Sequence, residues 1–169
     1  MTGVQTCALP IFGVEQNNAH TSAAAREAEY SNEGSVNGMF RLQINIMGLW
    51  MIQQVRHELG DKYSFAELAD MARANPVDDE INVNDQKFLA PDSMIDAITQ
   101  SVGRTLTVGE MAYVIYNNLA RYYHSSLQAL ESVTGKQYQT LNIIGGGSKN
   151  ALLNELTAKY TGKIGRAHV

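Results

Sequence analysis

The chain has 169 residues, of which 44% are hydrophobic and 18% are charged, a composition typical of a globular protein rather than a disordered one. Its formal net charge of −4 excludes a broadly basic surface, so we expect a small-molecule partner and no nucleic acid. The single cysteine, Cys7, excludes a disulfide framework or a cysteine metal site and suits a reducing cytoplasm. The longest apolar run, near residues 44–52, is well short of the ~20 residues that span a bilayer, so no membrane partner is predicted.

The two ends of the chain differ in character from the sequence between them. Thr6–Ile11 can be written ACG TGT GCT CTT CCG ATC, and the reverse complement of that DNA, read in another frame, encodes Ile164–Val169. The DNA resembles a common sequencing adapter, and a signal peptide is not expected because no Lys or Arg precedes the first apolar run. We therefore expect residues 1–11 and 164–169 to be adapter-derived and residues 12–163 to be a piece of a longer protein.

The first half of the remaining sequence predicts strands and then a helix. Residues 12–41 contain Gly- and Asn-rich turns beside short segments able to pair, which favours hairpins and loop. The next segment reads LQINIMGLWMIQQVRHELG. Its apolar residues recur at spacings of three and four, which predicts one buried helix ending at Gly60. Those residues are Leu42, Ile46, Leu49, Ile52 and Val55.

Two capping boxes predict where further helices begin. The sequence Ser64-Phe65-Ala66-Glu67 starts a helix that should run to about Ala74, and Thr107-Val108-Gly109-Glu110 starts the longest one, which should run to Gly135. Between them, residues 77–91 are acidic and rich in turn formers, and a short helix with Met94, Ile95 and Ile98 facing the core should follow. We expect Phe88 to order the acidic stretch, and Asp78-Asp79-Glu80 to be a solvated turn rather than a metal site.

A strand, three glycines and a helix form the most informative local pattern. Residues 139–144 predict a strand that leads into Gly145-Gly146-Gly147, and a helix follows Asn150, for which we expect first of all a capping role. Glycines let a ligand approach the main chain, and the free N–H groups at a helix start favour an anion, which suits a nucleotide. The pattern lacks both the Gly-Lys-Ser/Thr of a P-loop and the third glycine of a dinucleotide fingerprint, so an ordinary strand-to-helix turn explains it equally well.

Taken together, these segments resemble a known family. The sequence NIMGLW at residues 45–50, Gln53, the long capped helix and IIGGGSKNALLNEL resemble the C-terminal domain of FGGY-type carbohydrate kinases, and within them the rhamnulokinase group. Asn32-Glu33-Gly34 and VNDQKFLAPDSM are similar to two further segments of that group, although Ser31 and Ser35 replace its usual threonine and glycine. The resemblance implies an α/β fold, namely part of a ribonuclease-H-like, actin-like ATPase domain that is mostly helical with a few strands.

The resemblance also implies an activity and three site residues. The activity is transfer of a phosphoryl group from ATP, with Mg²⁺, to a ketose sugar, L-rhamnulose, in the cytoplasm. Asn45 would contact the sugar, while Gln53 and Gly146 would contact ATP. If one helix carries Asn45 and Gln53, they lie about two turns apart and can face one cleft; without the resemblance, a helix cap and a solvated glutamine explain them as well.

The resemblance implies that this chain lacks the catalytic base of the family. That base is an aspartate in a histidine-aspartate-threonine segment, which no residue here matches. The resemblance therefore implies a missing N-terminal domain as partner and an inactive fragment. Two alternatives stay open: another kinase of the family, acting on xylulose, gluconate or glycerol, and a non-catalytic actin-like ATP-binding protein.

Overall fold

The computed structural model describes residues 11–163 and 166–168, and the chain divides into two compact units between Gly48 and Leu49. The fold is mixed α/β and mostly helical, as the sequence predicts. Across the described residues, no helix is both long enough and apolar enough to cross a membrane.

The first unit is a small antiparallel sheet with one short helix. Its elements are β1 (Ile11–Gln16), α1 (Ala23–Glu27), β2 (Ser31–Gly34), a 3-10 turn (Val36–Gly38) and β3 (Phe40–Asn45). The spatial order is β1-β3-β2, so β3 is central and pairs with both neighbours. Leu42 lies opposite both Val14 and Asn32 and is fully buried. One predicted hairpin is present, formed by β2 and β3. Strand β1 instead pairs with β3 across the intervening α1 and β2, and α1 was not predicted.

The helix predicted to begin at Leu42 begins eight residues later. Residues Phe40–Asn45 form β3, and the helix α2 covers Trp50–Glu58. Leu42 and Ile46 are buried, as predicted, but their spacing of four does not come from a helix. Gly48 adopts a φ of 55° between the two elements, a conformation that interrupts regular structure and that glycine tolerates. The predicted C-terminal end is confirmed, since Gly60 follows the helix with a φ of 69°.

The second unit is helical. After α2 it contains α3 (Phe65–Ala74), a 3-10 turn (Gln86–Phe88), α4 (Met94–Val102), α5 (Val108–Thr134), β4 (Asn142–Ile144), a 3-10 turn (Gly145–Lys149), α6 (Ala151–Thr161) and β5 (Arg166–His168). The long helix α5 packs against α3 and α6 and also contacts α2. Its inner face includes Ile115, Tyr116 and Leu119, all with no exposed surface. Therefore α5 is the core around which this unit is built.

Both predicted capping boxes are present. Ser64 accepts from the Glu67 backbone N–H while the Glu67 carboxylate accepts from the Ser64 N–H, and Thr107 and Glu110 repeat the arrangement. Each box satisfies free N–H groups of the first helical turn, which fixes the start of α3 and α5. Gly109, one residue into α5, allows close approach of α3, because a Cβ there would lie 2.8 Å from the Met71 carbonyl oxygen.

Some residues that the sequence assigns to adapter-derived ends lie in strands. Ile11 is the first residue of β1, opposite Asn45, and β5 pairs in parallel with β4. Strand pairing depends on backbone hydrogen bonds rather than on the origin of the residues. The proposed boundaries at residues 12 and 163 therefore stay predictions, and residues 1–10, 164, 165 and 169 lie outside the described part of the chain.

Candidate functional site

Asn45, the residue expected to contact a sugar, is the last residue of β3. It lies opposite Ile11 and its side chain is exposed. The prediction that one helix carries both Asn45 and Gln53 is wrong, and so is the inference that they lie two turns apart, because they belong to different elements and different units. What remains is an exposed amide at a strand end, which can donate to and accept from hydroxyl groups.

Gln53, expected to contact ATP, lies in the first turn of α2 with its side chain exposed. The opposite side of α2 is anchored in the core by Met51, Ile52 and Val55, none of which has any exposed surface. Trp50 is three residues before Gln53 and therefore its neighbour on the helix surface. The Trp50 indole N–H donates to the backbone carbonyl of Phe88 at 3.2 Å.

Gly146, the other residue expected to contact ATP, lies in the 3-10 turn that links β4 to α6. It is exposed, and a Cβ added there would meet nothing within 4 Å, so one side of its backbone is open. Asn150 caps α6, because its side-chain oxygen accepts from the Leu153 N–H at 2.9 Å. The capping role predicted for Asn150 is confirmed. An open glycine backbone beside a capped helix start leaves room for an anionic ligand.

Gln53 and Gly146 lie in the same unit, but the elements that carry them pack against different helices and strands. Helix α2 packs against α4 and α5, whereas the Gly145–Lys149 turn contacts β4, β5 and α6. Helix α6 in turn packs against α5. The shared support of the two elements is therefore α5, and a common nucleotide cavity between them stays a prediction.

The acidic stretch at residues 77–91 is more ordered than a solvated turn. Asp79 pairs with Arg104, and Glu80 pairs with Arg121 at 2.7 Å. Phe88, which we expect to order this stretch, has no exposed surface. In the described ranges no group of three or more His, Cys, Asp or Glu side chains is arranged to hold a metal ion. Asp79 and Glu80 pair with arginines, and Asp85 pairs with Lys87.

Nearly the whole chain matches one protein family. A family model for the C-terminal domain of the FGGY family of carbohydrate kinases matches residues 10–165. The chain belongs to this family. Similar proteins include the rhamnulokinases of Lactiplantibacillus plantarum, 42% identical over 88% of this chain and 32% of the relative, and of Bacillus subtilis, 40% identical over 90% of this chain and 33% of the relative. The rhamnulokinase of Ligilactobacillus salivarius is 42% identical over the same shares as the first.

The chain spans about a third of the length of those relatives. The segments that resemble this family are NIMGLW at residues 45–50, Gln53, the long capped helix and IIGGGSKNALLNEL. The family membership expected from them is confirmed.

Sequence reasoning missed several polar contacts that position α2. The Glu58 carboxylate, at the C-terminal end of α2, accepts from the Ser93 hydroxyl at 2.8 Å and from the backbone N–H groups of Met94 and Ile95. It therefore assists Ser93 in capping α4. No local pattern signals this contact, because the partners are 35–37 residues apart; the Trp50–Phe88 hydrogen bond is hidden for the same reason.

Proposed function

We propose that this chain is the C-terminal part of an ATP-dependent kinase that phosphorylates L-rhamnulose to L-rhamnulose 1-phosphate in rhamnose catabolism. The observation that carries the proposal is the identity of 40–42% to three rhamnulokinases over about nine tenths of the chain. Because the chain spans about a third of their length, the proposal concerns the longer protein and not this segment alone.

The proposed nucleotide contacts are Gln53 and Gly146. The exposed Gln53 amide can bond to polar groups of the nucleotide, and the open backbone side of Gly146 lets it approach without a side chain in between. These features fit an adenine nucleotide. Mg²⁺ would arrive with the ATP phosphates and supply charge neutralisation there, since the described residues offer no acidic cluster of their own.

The proposed sugar contact is Asn45. Its exposed amide has both a donor and an acceptor, the combination that a hydroxyl-rich ligand needs. In this proposal the chain binds and orients, while the catalytic base lies in a histidine-aspartate-threonine segment that the chain lacks. Orientation of the two reactants and charge stabilisation account for most of the acceleration in phosphoryl transfer.

The test is a substrate panel on the full-length protein, recovered from genomic DNA that flanks residues 12–163. L-Rhamnulose should be phosphorylated with a higher kcat/KM than xylulose, gluconate or glycerol. Asn45→Ala should raise KM for the sugar and leave KM for ATP unchanged, whereas Gln53→Ala should do the reverse. A preference for another of these sugars, or no ATP-dependent phosphorylation of any of them, would contradict the proposal.

A further inference from the structure

The acidic stretch at residues 77–91 is fastened to α5 by a buried amide. Asn118, only 4% exposed, donates to the backbone carbonyls of Asp79 at 2.9 Å and Val114 at 2.8 Å, and accepts from the Ile81 N–H at 3.3 Å. The Asn118 side chain thus bonds the turn at both Asp79 and Ile81 and holds it against α5. Ion pairs of the neighbouring carboxylates with Arg104 and Arg121 add to this anchor.

The same stretch continues as ordered chain up to Phe88. Val83 is 1% exposed and Phe88 has no exposed surface, so two apolar anchors follow the Asn118 contact. The Asp85 side chain accepts from the Lys87 N–H at 3.0 Å and fixes the short turn Gln86–Phe88. The backbone carbonyl of Phe88 is consequently held at a defined position relative to α5.

That carbonyl accepts the indole N–H of Trp50, the first residue of α2. At its other end, α2 is held by the contact of Glu58 with the start of α4. The start of α2 is therefore bonded to the acidic stretch, and the end of α2 is bonded to the start of α4, which follows that stretch. Trp50 is half-buried, and Gln53, one turn further on, is exposed.

We propose that Trp50 is a positioning residue for nucleotide binding: its indole N–H, bonded to the Phe88 carbonyl, sets the first turn of α2 so that Gln53 meets the nucleotide. This inference rests on the proposed function, because it assigns Trp50 an effect that passes through Gln53. Without the hydrogen bond the indole can take other rotamers. The position of the neighbouring Gln53 amide is then less well defined.

A double-mutant cycle in the full-length kinase tests this inference. Trp50→Phe keeps an aromatic ring and removes the N–H, and should raise KM for ATP about fivefold, the scale of one hydrogen bond, with kcat and KM for the sugar unchanged. Gln53→Ala should raise KM for ATP as well. The double variant should be no worse than the more affected single variant, because the hydrogen bond of Trp50 acts only through Gln53, which the double variant lacks.

A second replacement separates the hydrogen bond from packing. Substituting benzothienylalanine at position 50 keeps the size and shape of the indole but puts sulfur in place of the N–H, and it should reproduce the rise in KM for ATP. Tyr138→Phe is the matched control. It removes one aromatic hydroxyl that donates to the Thr134 hydroxyl at 3.1 Å, at the C-terminal end of α5 and outside the contacts that run from Asn118 to Trp50, and should leave KM for ATP unchanged.

The outcomes distinguish this inference from the proposed function. If Gln53→Ala raises KM for ATP but the benzothienylalanine protein does not, or if the two effects multiply in the double variant, Trp50 does not act through Gln53 and only this inference falls. If Gln53→Ala leaves KM for ATP unchanged, the assignment of Gln53 to the nucleotide fails first, and this inference fails with it.

Discussion

Gln43 is a buried polar residue with one side-chain atom that has no hydrogen-bond partner among the described residues. It lies in the central strand β3, is 4% exposed, and its side-chain oxygen Oε1 has no hydrogen-bond partner in the part of the chain that the structure describes. A buried acceptor without a donor costs free energy, because it gives up water and gains nothing in return. Gln43 should therefore lower the stability of the first unit.

We expect Gln43→Leu to raise the free energy of unfolding by about 1 kcal/mol, because leucine has a similar volume and no unsatisfied oxygen. The measurement is the midpoint of urea unfolding of the chain, provided that the dependence of the unfolding free energy on urea concentration stays the same. Gln100→Leu, at an exposed position of α4, is the control and should change stability by less than about 0.5 kcal/mol. A lower midpoint for Gln43→Leu would mean that Oε1 is satisfied in solution.

Gly146 and Gly109 offer a matched pair of glycine-to-alanine substitutions. A Cβ at Gly146 meets nothing within 4 Å, whereas one at Gly109 would lie 2.7 Å from the Asn75 side-chain nitrogen and 2.8 Å from the Met71 carbonyl oxygen. Gly146→Ala should therefore leave stability unchanged, but it should raise KM for ATP about tenfold if the nucleotide lies against that backbone. Gly109→Ala should cost about 1–3 kcal/mol of stability through overpacking and leave KM for ATP unchanged.

Thermal unfolding and ATP kinetics of the two full-length variants check this prediction. A destabilised Gly146→Ala protein would contradict the open geometry, and an unaltered KM for ATP would remove Gly146 from the nucleotide site. The effects on stability and on KM for ATP can be distinguished, because Gly109→Ala should change stability alone.

Among the helices, the capping box of α5 couples stability to pH. The Glu110 carboxylate accepts from the backbone N–H and the hydroxyl of Thr107 and pairs with Arg104, which together lower the pKa of Glu110 below its usual 4.5. A carboxyl with a lowered folded-state pKa stabilises the fold fully above its unfolded-state pKa and loses that contribution as the pH falls through its folded-state pKa. The box should therefore weaken below about pH 4.5.

We expect Glu110→Gln to lower the thermal midpoint at pH 7, and the difference from the unaltered chain to shrink as the pH falls from about 5 to about 3. Calorimetric scans across that range are the measurement. Glu33→Gln, at an exposed position of β2, removes the same charge outside any helix cap and serves as the control. A difference that is constant with pH would show that the ionised form of Glu110 is not what stabilises α5.

The elements that could be predicted from the sequence are those whose signal is local. The capping boxes at Ser64 and Thr107 gave the starts of α3 and α5 correctly, because the cap residue and its partner are three positions apart. The start of α2 could not be found in this way. Leu42 and Ile46 fit a helical period by spacing, but the pairing of β3 with β1 and β2 decides the structure there.

The same distinction applies to the candidate site. The glycines and the Asn150 cap are local features and were predicted, whereas the contacts of Asn118 with Asp79 and of Trp50 with Phe88 join residues 38 or 39 positions apart. Nothing in the spacing of either pair marks it. The prediction for Asn45 failed in its geometry because its element was predicted wrongly, although the residue is exposed at a strand end.

For the whole molecule, the proposed function predicts what this chain can do alone. The chain spans 32–33% of three rhamnulokinases. The proposed sugar and nucleotide contacts lie on this chain, whereas the proposed catalytic base does not. Phosphoryl transfer requires that both reactants be aligned and that the transferred group's charge be stabilised in one closed site.

We therefore expect the purified 169-residue chain to show no ATP-dependent phosphorylation of L-rhamnulose, while the full-length protein turns it over at roughly 1–100 s⁻¹, the usual range for kinases. Mass spectrometry of the sugar after incubation with ATP and Mg²⁺ is the measurement, with the full-length protein as the positive control. Sugar phosphate formed by the chain alone would require a base among its own residues. In the proposed function the catalytic base lies outside this chain, so the loss of activity should be complete rather than a raised KM that more ATP could overcome.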